Sequence, residues 1–146
     1  NAGMRQKYLN RISGPLLDRI DIHIEVVPVK YDKLADNLSS ERSSVVRERV
    51  VRAREIQAKR FASVKGIYAN AQMTASMQRK YCRLDEAGGK LLRTAMNIRG
   101  LSARAYDRIL KLARTIADLA ESENISAEHI SEAINYRNLD REGWAG

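Results

Sequence analysis

The most regular pattern near the start of the chain is an alternation of apolar and polar residues over positions 20–26. The apolar positions are Ile20, Ile22, Ile24 and Val26. A period of two is typical of a β-strand with one buried face, and Pro28 ends it because proline has no N–H to donate to a ladder. No second strong strand pattern follows. We therefore predict one orphan strand of a sheet whose other strands lie upstream, outside this chain. A small hairpin with positions 29–31 is the alternative.

A short helix is predicted before this strand. Tyr8, Leu9 and Ile12 recur at helical spacing, and Gly14 and Pro15 are expected to stop the helix. Positions 16–19 then form a further turn that leads into the strand.

A long helix is predicted over positions 41–63, with Gly66 capping its end. Its apolar stripe, which Gln57 interrupts, consists of Val46, Val50, Ala53, Phe61 and Val64. Its basic residues gather on another side of the helix and are Arg42, Arg49, Arg52, Lys59 and Arg60.

Further helices follow at short intervals. They are predicted at 74–81, at 84–98 with Asp85 as N-cap and Gly100 at the end, from Ser102 onwards, and from Ser126 onwards. Ile125 is expected to staple onto Ile130. The fold class predicted from the pattern is therefore mainly α: a bundle of about four to five helices, preceded by a short helix and one orphan strand.

The charge and composition of the chain indicate which classes of molecule it binds and which kinds of site it lacks. The chain has 26 Lys and Arg against 18 Asp and Glu, and this net charge of +8 favours polyanions such as nucleic acid or nucleotide phosphates. Its single cysteine, Cys82, excludes an internal disulfide and fits a reducing cytoplasm. No phosphate-binding loop, metal-ligand cluster or long apolar run occurs, so we predict no metal site, no membrane span and no complete enzyme.

Two arginines stand in settings that suit contact with phosphate. Arg19 lies where a turn meets the predicted strand, so a rigid element would hold its planar guanidinium at the edge of a sheet. Arg104 lies in the first turn of a predicted helix, where a cation opposes the helix dipole unless an anion compensates. Arg108 and Lys111 follow it at i+4 and i+7 on the same side. An ordinary surface arginine is the alternative for Arg104.

The segments RISGPLLDRIDIHIEV and GLSARAYDRILKLARTIADLA closely resemble the C-terminal part of the magnesium chelatase-like AAA+ ATPases of the ComM competence type. The resemblance covers about residues 6–139. It implies a hexameric ATPase that binds nucleotide between neighbouring subunits. By this likeness Arg19 matches an arginine finger that acts in trans, and Arg104 matches the sensor-2 arginine of a helical lid.

The resemblance also implies how the chain is divided. Residues 1–28 would end the AAA+ α/β core, 29–40 would be a linker, 41–139 would form the helical lid, and 140–146 would be a tail. ATP and Mg²⁺ would be bound by the intact protein, and neither by this segment alone. The expected partners are the upstream core of the same protein, neighbouring subunits of a homo-hexamer, and DNA.

The expected function is the coupling of ATP hydrolysis to DNA remodelling or branch migration. Contacts to DNA would come from Arg49, Arg52, Lys59 and Arg60, although these residues also suit an ordinary solvated helix face. Two other functions stay open: a chelatase-type motor that remodels a protein, and a freestanding basic helical module that binds nucleic acid. DNA-stimulated ATP hydrolysis favours the DNA motor over the protein-remodelling motor. Salt-sensitive DNA binding by the chain alone favours the freestanding module.

Overall fold

The computed structural model describes residues 14–17, 19–24, 26–28 and 40–137. The helices in these ranges are α1 (Gly14–Leu17), α2 (Ser43–Phe61), a 3-10 turn (Asn70–Gln72), α3 (Ala75–Tyr81), α4 (Glu86–Arg99), α5 (Ala103–Leu119) and α6 (Ala127–Asn135). The predicted fold class, a mainly α bundle, is confirmed. The predicted helix over positions 8–12, the linker before Ser40 and the tail lie outside the described residues.

Local capping explains most helix boundaries. The Asp85 carboxylate accepts a hydrogen bond from Gly88 N at 2.7 Å, and the Ser102 hydroxyl accepts one from Ala105 N at 3.1 Å. Gly100 ends α4 in the left-handed region at φ +60°, which glycine adopts without strain. Gly66 also has a positive φ, but α2 ends earlier, at Phe61, so the predicted cap at Gly66 is wrong.

Helix α5 lies at the centre of the bundle and packs against α2, α3, α6 and the 3-10 turn, while α4 packs against α6. Its inward residues Ile109 and Ala113 are fully buried, as are Ile130 and Ala133 of α6. Ile125 is also buried in this core, at the position predicted for the staple. The apolar stripe of α5 therefore holds the other helices around it.

The long helix α2 buries only its C-terminal half. Ala53, Gln57 and Phe61 are buried, whereas Val46 and Val50 are 39% and 47% exposed. The predicted apolar stripe is thus wrong for the first half of the helix, because the described residues place no neighbouring helix over it. Gln57, predicted to interrupt the stripe, is buried because its side-chain oxygen accepts a hydrogen bond from Asn70 N at 3.1 Å.

The predicted strand is not formed in the described residues. Positions 20–24 and 26–28 belong to no ladder, and the one β-bridge in the described part of the chain joins Leu84 and Ile125. Arg137 Nη1 instead donates to Ile20 O at 2.8 Å, and His23 N donates to Tyr136 O at 2.7 Å. A strand needs a neighbour to satisfy its backbone groups, and this segment finds its partners at the end of α6.

The face of this segment is also opposite to the predicted one. His23 is buried, at 5% exposure, while Ile22 and Ile24 are 43% and 68% exposed.

No helix among the described residues is both long and apolar enough to cross a bilayer.

Candidate functional site

The first half of α5 carries three cations on one face. Arg104, Arg108 and Lys111 are spaced by four and three residues, and all three line a cavity of about 370 Å³. Ala71 of the 3-10 turn and Asp21 of the N-terminal segment line it from other sides. We call this cavity the cationic cleft. A larger groove of about 880 Å³ runs along α2, but its lining is mainly apolar, so chemistry rather than size identifies the candidate site.

The three cations of the cleft have different partners. Arg108 forms an ion pair with Asp21, and the two side chains are 29% and 54% exposed. Lys111 Nζ donates to Ala71 O at 3.1 Å. Arg104 is exposed, and within the described residues no carboxylate pairs with it. The cleft also borders the exposed Asp107. It therefore keeps a cationic excess, with Arg104 as its most available group.

Arg19 lies outside the cleft. Its side chain is exposed, and its Nη1 donates to Pro15 O at 2.7 Å across the turn that follows α1. The structure therefore does not bring Arg19 and Arg104 into one cavity. The two are linked through the chain, because Asp21 follows Arg19 by two residues and pairs with Arg108 of the cleft.

The basic residues of α2 do not form one open face. Arg49 makes a bidentate pair with Glu41, with both distances 2.8 Å, and Arg52 Nε lies 2.7 Å from Glu121. Arg60 turns inward and is 12% exposed, whereas Lys59 is exposed. The role of these residues in DNA contact stays a prediction. Among the four, Lys59 is exposed and forms no ion pair with any described residue.

A buried polar network centred on Asp118 was not anticipated from the sequence. The fully buried carboxylate accepts from Arg60 Nη1 and Nη2 at 2.7 and 2.5 Å, from Asn70 Nδ2 at 2.7 Å and from Arg114 Nε at 3.1 Å. The spacing of Arg114 and Asp118 at i and i+4 in α5 was the only local signal for it. Arg60 is 58 residues from Asp118 and could not be paired with it by spacing.

This network holds one wall of the cleft in place. Asn70, the first residue of the 3-10 turn, is bound by Asp118, by the Arg60 guanidinium at 2.8 Å and by Thr115 Oγ1 at 3.1 Å. The next residue is Ala71, whose carbonyl accepts from Lys111. Arg114 also donates to the carbonyls of the α5–α6 connection, at Ser122 and Glu123. The network therefore joins α2, the turn and α5 around the cleft.

Burial raises the pKa of the Cys82 thiol from 9.0 to about 11, although the nearby cations of Arg114 and Arg60 oppose this shift. At pH 8 such a shift lowers the thiolate fraction about 100-fold. We expect iodoacetamide to modify the folded chain at least 100-fold (order of magnitude) more slowly than the urea-unfolded chain. Because the folded state keeps the proton that the unfolded state loses, this thiol stabilises the fold below about pH 9, and the contribution is lost as the pH rises towards 11. Equal modification rates would contradict the buried position of Cys82.

The described residues offer no cluster of three or more His, Cys, Asp or Glu side chains suited to hold a metal ion. The guanidinium groups of Arg104 and Arg108 and the ammonium group of Lys111 suit the binding of an anion in the cleft.

Comparisons with known proteins agree with the two sequence motifs. The family profile described as magnesium chelatase, subunit ChlI C-terminal, matches residues 40–137, and that described as magnesium chelatase, subunit ChlI, matches residues 1–34. Competence protein ComM of Haemophilus influenzae is 41% identical over 92% of this chain and 26% of its own length. The protein YifB of Escherichia coli is 39% identical over the same shares, so the chain spans about a quarter of the length of these curated relatives. Since the C-terminal profile alone covers more than half of the chain, the chain belongs to the magnesium chelatase ChlI family.

Proposed function

We propose that this chain is the lid and arginine-finger part of a hexameric AAA+ ATPase that couples ATP hydrolysis to DNA remodelling or branch migration. The observation that carries the proposal is the cationic cleft, where Arg104 projects from the first turn of α5 with no carboxylate partner among the described residues. A cation at this end of a helix is unfavourable without an anion nearby, and a nucleotide phosphate supplies one.

Within this proposal the two arginines serve different nucleotide sites. Arg104 contacts the nucleotide bound by its own subunit and couples hydrolysis to movement of the lid. Arg19, exposed and outside the cleft, reaches the site of a neighbouring subunit, where it stabilises charge that develops on the γ-phosphate. The separation of the two side chains in the structure supports this division of roles.

The intact protein supplies the rest of the machinery in this proposal. In keeping with the family resemblance, the nucleotide-binding loop and the ligands for Mg²⁺ belong to residues upstream of this chain. The division into core end, linker, lid and tail, and a cytoplasmic location, in keeping with the free thiol of Cys82, are part of the same proposal.

Replacement of Arg104 by glutamine tests the nucleotide contact. Loss of a charge-assisted hydrogen bond is expected to raise the KM for ATP of the full-length protein by about 10- to 100-fold. Steady-state hydrolysis at varied ATP concentration measures this change. Arg47→Gln removes the same charge from an exposed position of α2 and serves as the control. An unchanged KM in Arg104→Gln would assign Arg104 to the surface.

The family match favours a second candidate, a chelatase-type motor that remodels a protein. The same cleft and finger would serve it, so the substrate distinguishes the two. ATP hydrolysis by the full-length protein, measured with and without branched DNA, is expected to rise with DNA. Hydrolysis that is indifferent to DNA would favour the protein-remodelling motor.

A further inference from the structure

A carboxylate of the chain itself lies in the cationic cleft. Asp21, from the N-terminal segment, pairs with Arg108 across a sequence separation of 87 residues. Among the described residues, the other carboxylate that lines the cleft is Asp107, which lies on α5 itself. Asp21 therefore brings an anion into the cleft from a separate part of the chain.

We propose that Arg108 is a second phosphate-contacting residue of the cleft, and that Asp21 is an internal anion that holds Arg108 until a phosphate group displaces it. The assignment of that phosphate to ATP rests on the proposed function. The proposal itself concerns any oligophosphate that enters the cleft.

The geometry of Arg108 suits such an exchange. Its ion pair with Asp21 is partly exposed, and pairs of this kind contribute little to stability because water screens them. Its Nε is buried, and the described residues offer this atom no hydrogen-bond acceptor. A phosphate group has several acceptor oxygens and more charge than one carboxylate, so it can satisfy the guanidinium more completely.

The neighbouring cations favour an oligophosphate over a single carboxylate. Arg104 and Lys111 lie on the same face of α5, on either side of Arg108 in the sequence, and line the same cavity. Of these three cations, Asp21 pairs with Arg108 alone. An anion with two or three linked phosphates carries enough oxygens to contact all of them.

Displacement of Asp21 has a consequence for the N-terminal segment. Asp21–Arg108 is one of the contacts that hold this segment on the bundle, together with Arg137 to Ile20 O and His23 N to Tyr136 O. Because Arg19 lies two residues before Asp21, filling the cleft loosens the attachment of the segment that carries Arg19.

Calorimetric titration of the 146-residue chain with inorganic tripolyphosphate at low salt tests the proposal. Asp21→Asn is expected to bind about fivefold more tightly than the wild type, because it removes an exposed competing pair. Arg108→Gln is expected to bind about 10-fold more weakly, because it removes a charge-assisted contact. In the double variant the gain from Asp21→Asn is expected to disappear.

Two control variants separate these effects from net charge. Glu48→Gln and Arg47→Gln make the same charge changes at exposed positions of α2, and far-UV circular dichroism confirms that every variant is folded. Equal affinities for Asp21→Asn and Glu48→Gln, or for Arg108→Gln and Arg47→Gln, would overturn the proposal, as would absence of binding in all variants.

The outcome is independent of the test of the proposed function. The chain could bind tripolyphosphate with the expected order of affinities while the full-length protein hydrolyses no ATP. That result would support the displacement of Asp21 by phosphate and contradict the ATPase assignment. In the reverse result, ATP hydrolysis depends on Arg104 but tripolyphosphate affinity does not change in the Asp21 and Arg108 variants. That result would contradict only the displacement of Asp21 by phosphate.

Discussion

Replacement of Arg19 by alanine is expected to lower ATP turnover by the full-length protein about 10³- to 10⁵-fold, the range for an arginine finger supplied in trans. The fold should survive, because Arg19 is exposed and its side chain donates a single hydrogen bond, to Pro15 O, within the described residues. Steady-state hydrolysis at saturating ATP measures the loss, and Arg47→Ala on the exposed part of α2 is the matched control. Full activity of Arg19→Ala would make Arg19 a structural residue.

A mixing experiment determines whether the finger acts in trans. A subunit with Arg19→Ala keeps its Arg104, and a subunit with Arg104→Gln keeps its Arg19. If the two arginines of one subunit serve different sites, a site between an Arg19→Ala subunit and a neighbouring Arg104→Gln subunit can hold both native arginines. ATP hydrolysis by the mixed oligomer at low ATP concentration is then expected to exceed that of either variant alone. Mixtures no more active than the separate variants would indicate that Arg19 and Arg104 of one subunit serve the same site.

Replacement of Asp118 by asparagine is expected to lower the free energy of unfolding by about 3–5 kcal/mol, because the change leaves buried guanidinium groups without a counter-charge. Asp118 is fully buried, and Arg60 and Arg114 both donate to its carboxylate. Urea denaturation followed by circular dichroism measures the loss. Asp107→Asn is the matched control on the same helix, where the side chain is exposed and a change within about 0.5 kcal/mol is expected.

A second substitution tests whether uncompensated charge causes this loss. Arg114→Met in the Asp118→Asn background removes one of the buried cations and is expected to recover part of the stability. Further destabilisation by the double variant would show that the contacts of Arg114 with the Ser122 and Glu123 carbonyls matter more than its charge.

Features set by neighbours in sequence were predicted well. The N-cap at Asp85, the helix start at Ser102 and the helix end at Gly100 depend on residues within three or four positions, so their patterns are readable from the chain alone. The placement of Arg104, Arg108 and Lys111 on one side of α5 follows in the same way from helical periodicity, and the structure shows that all three line one cavity.

The predictions for the N-terminal segment and for α2 show where periodicity is insufficient. Alternation over positions 20–26 records which side chains are apolar, but a ladder needs a paired strand, and the described residues contain none. The stripe of α2 is apolar at Val46 and Val50 as well as at Phe61, yet only the last of these meets the bundle. Burial depends on whether another element covers a face, which periodicity does not report.

The sequence by itself therefore determined the helical class, the positions of α3 to α6, the cationic face of α5 and, through two motifs, the family. Only the tertiary structure decided that Arg60 serves Asp118 rather than solvent, and that Asp21 reaches Arg108. The physical reason is range. Caps and helix faces arise from backbone geometry over a few residues, whereas these ion pairs join residues 58 and 87 positions apart, which meet only after the helices have packed.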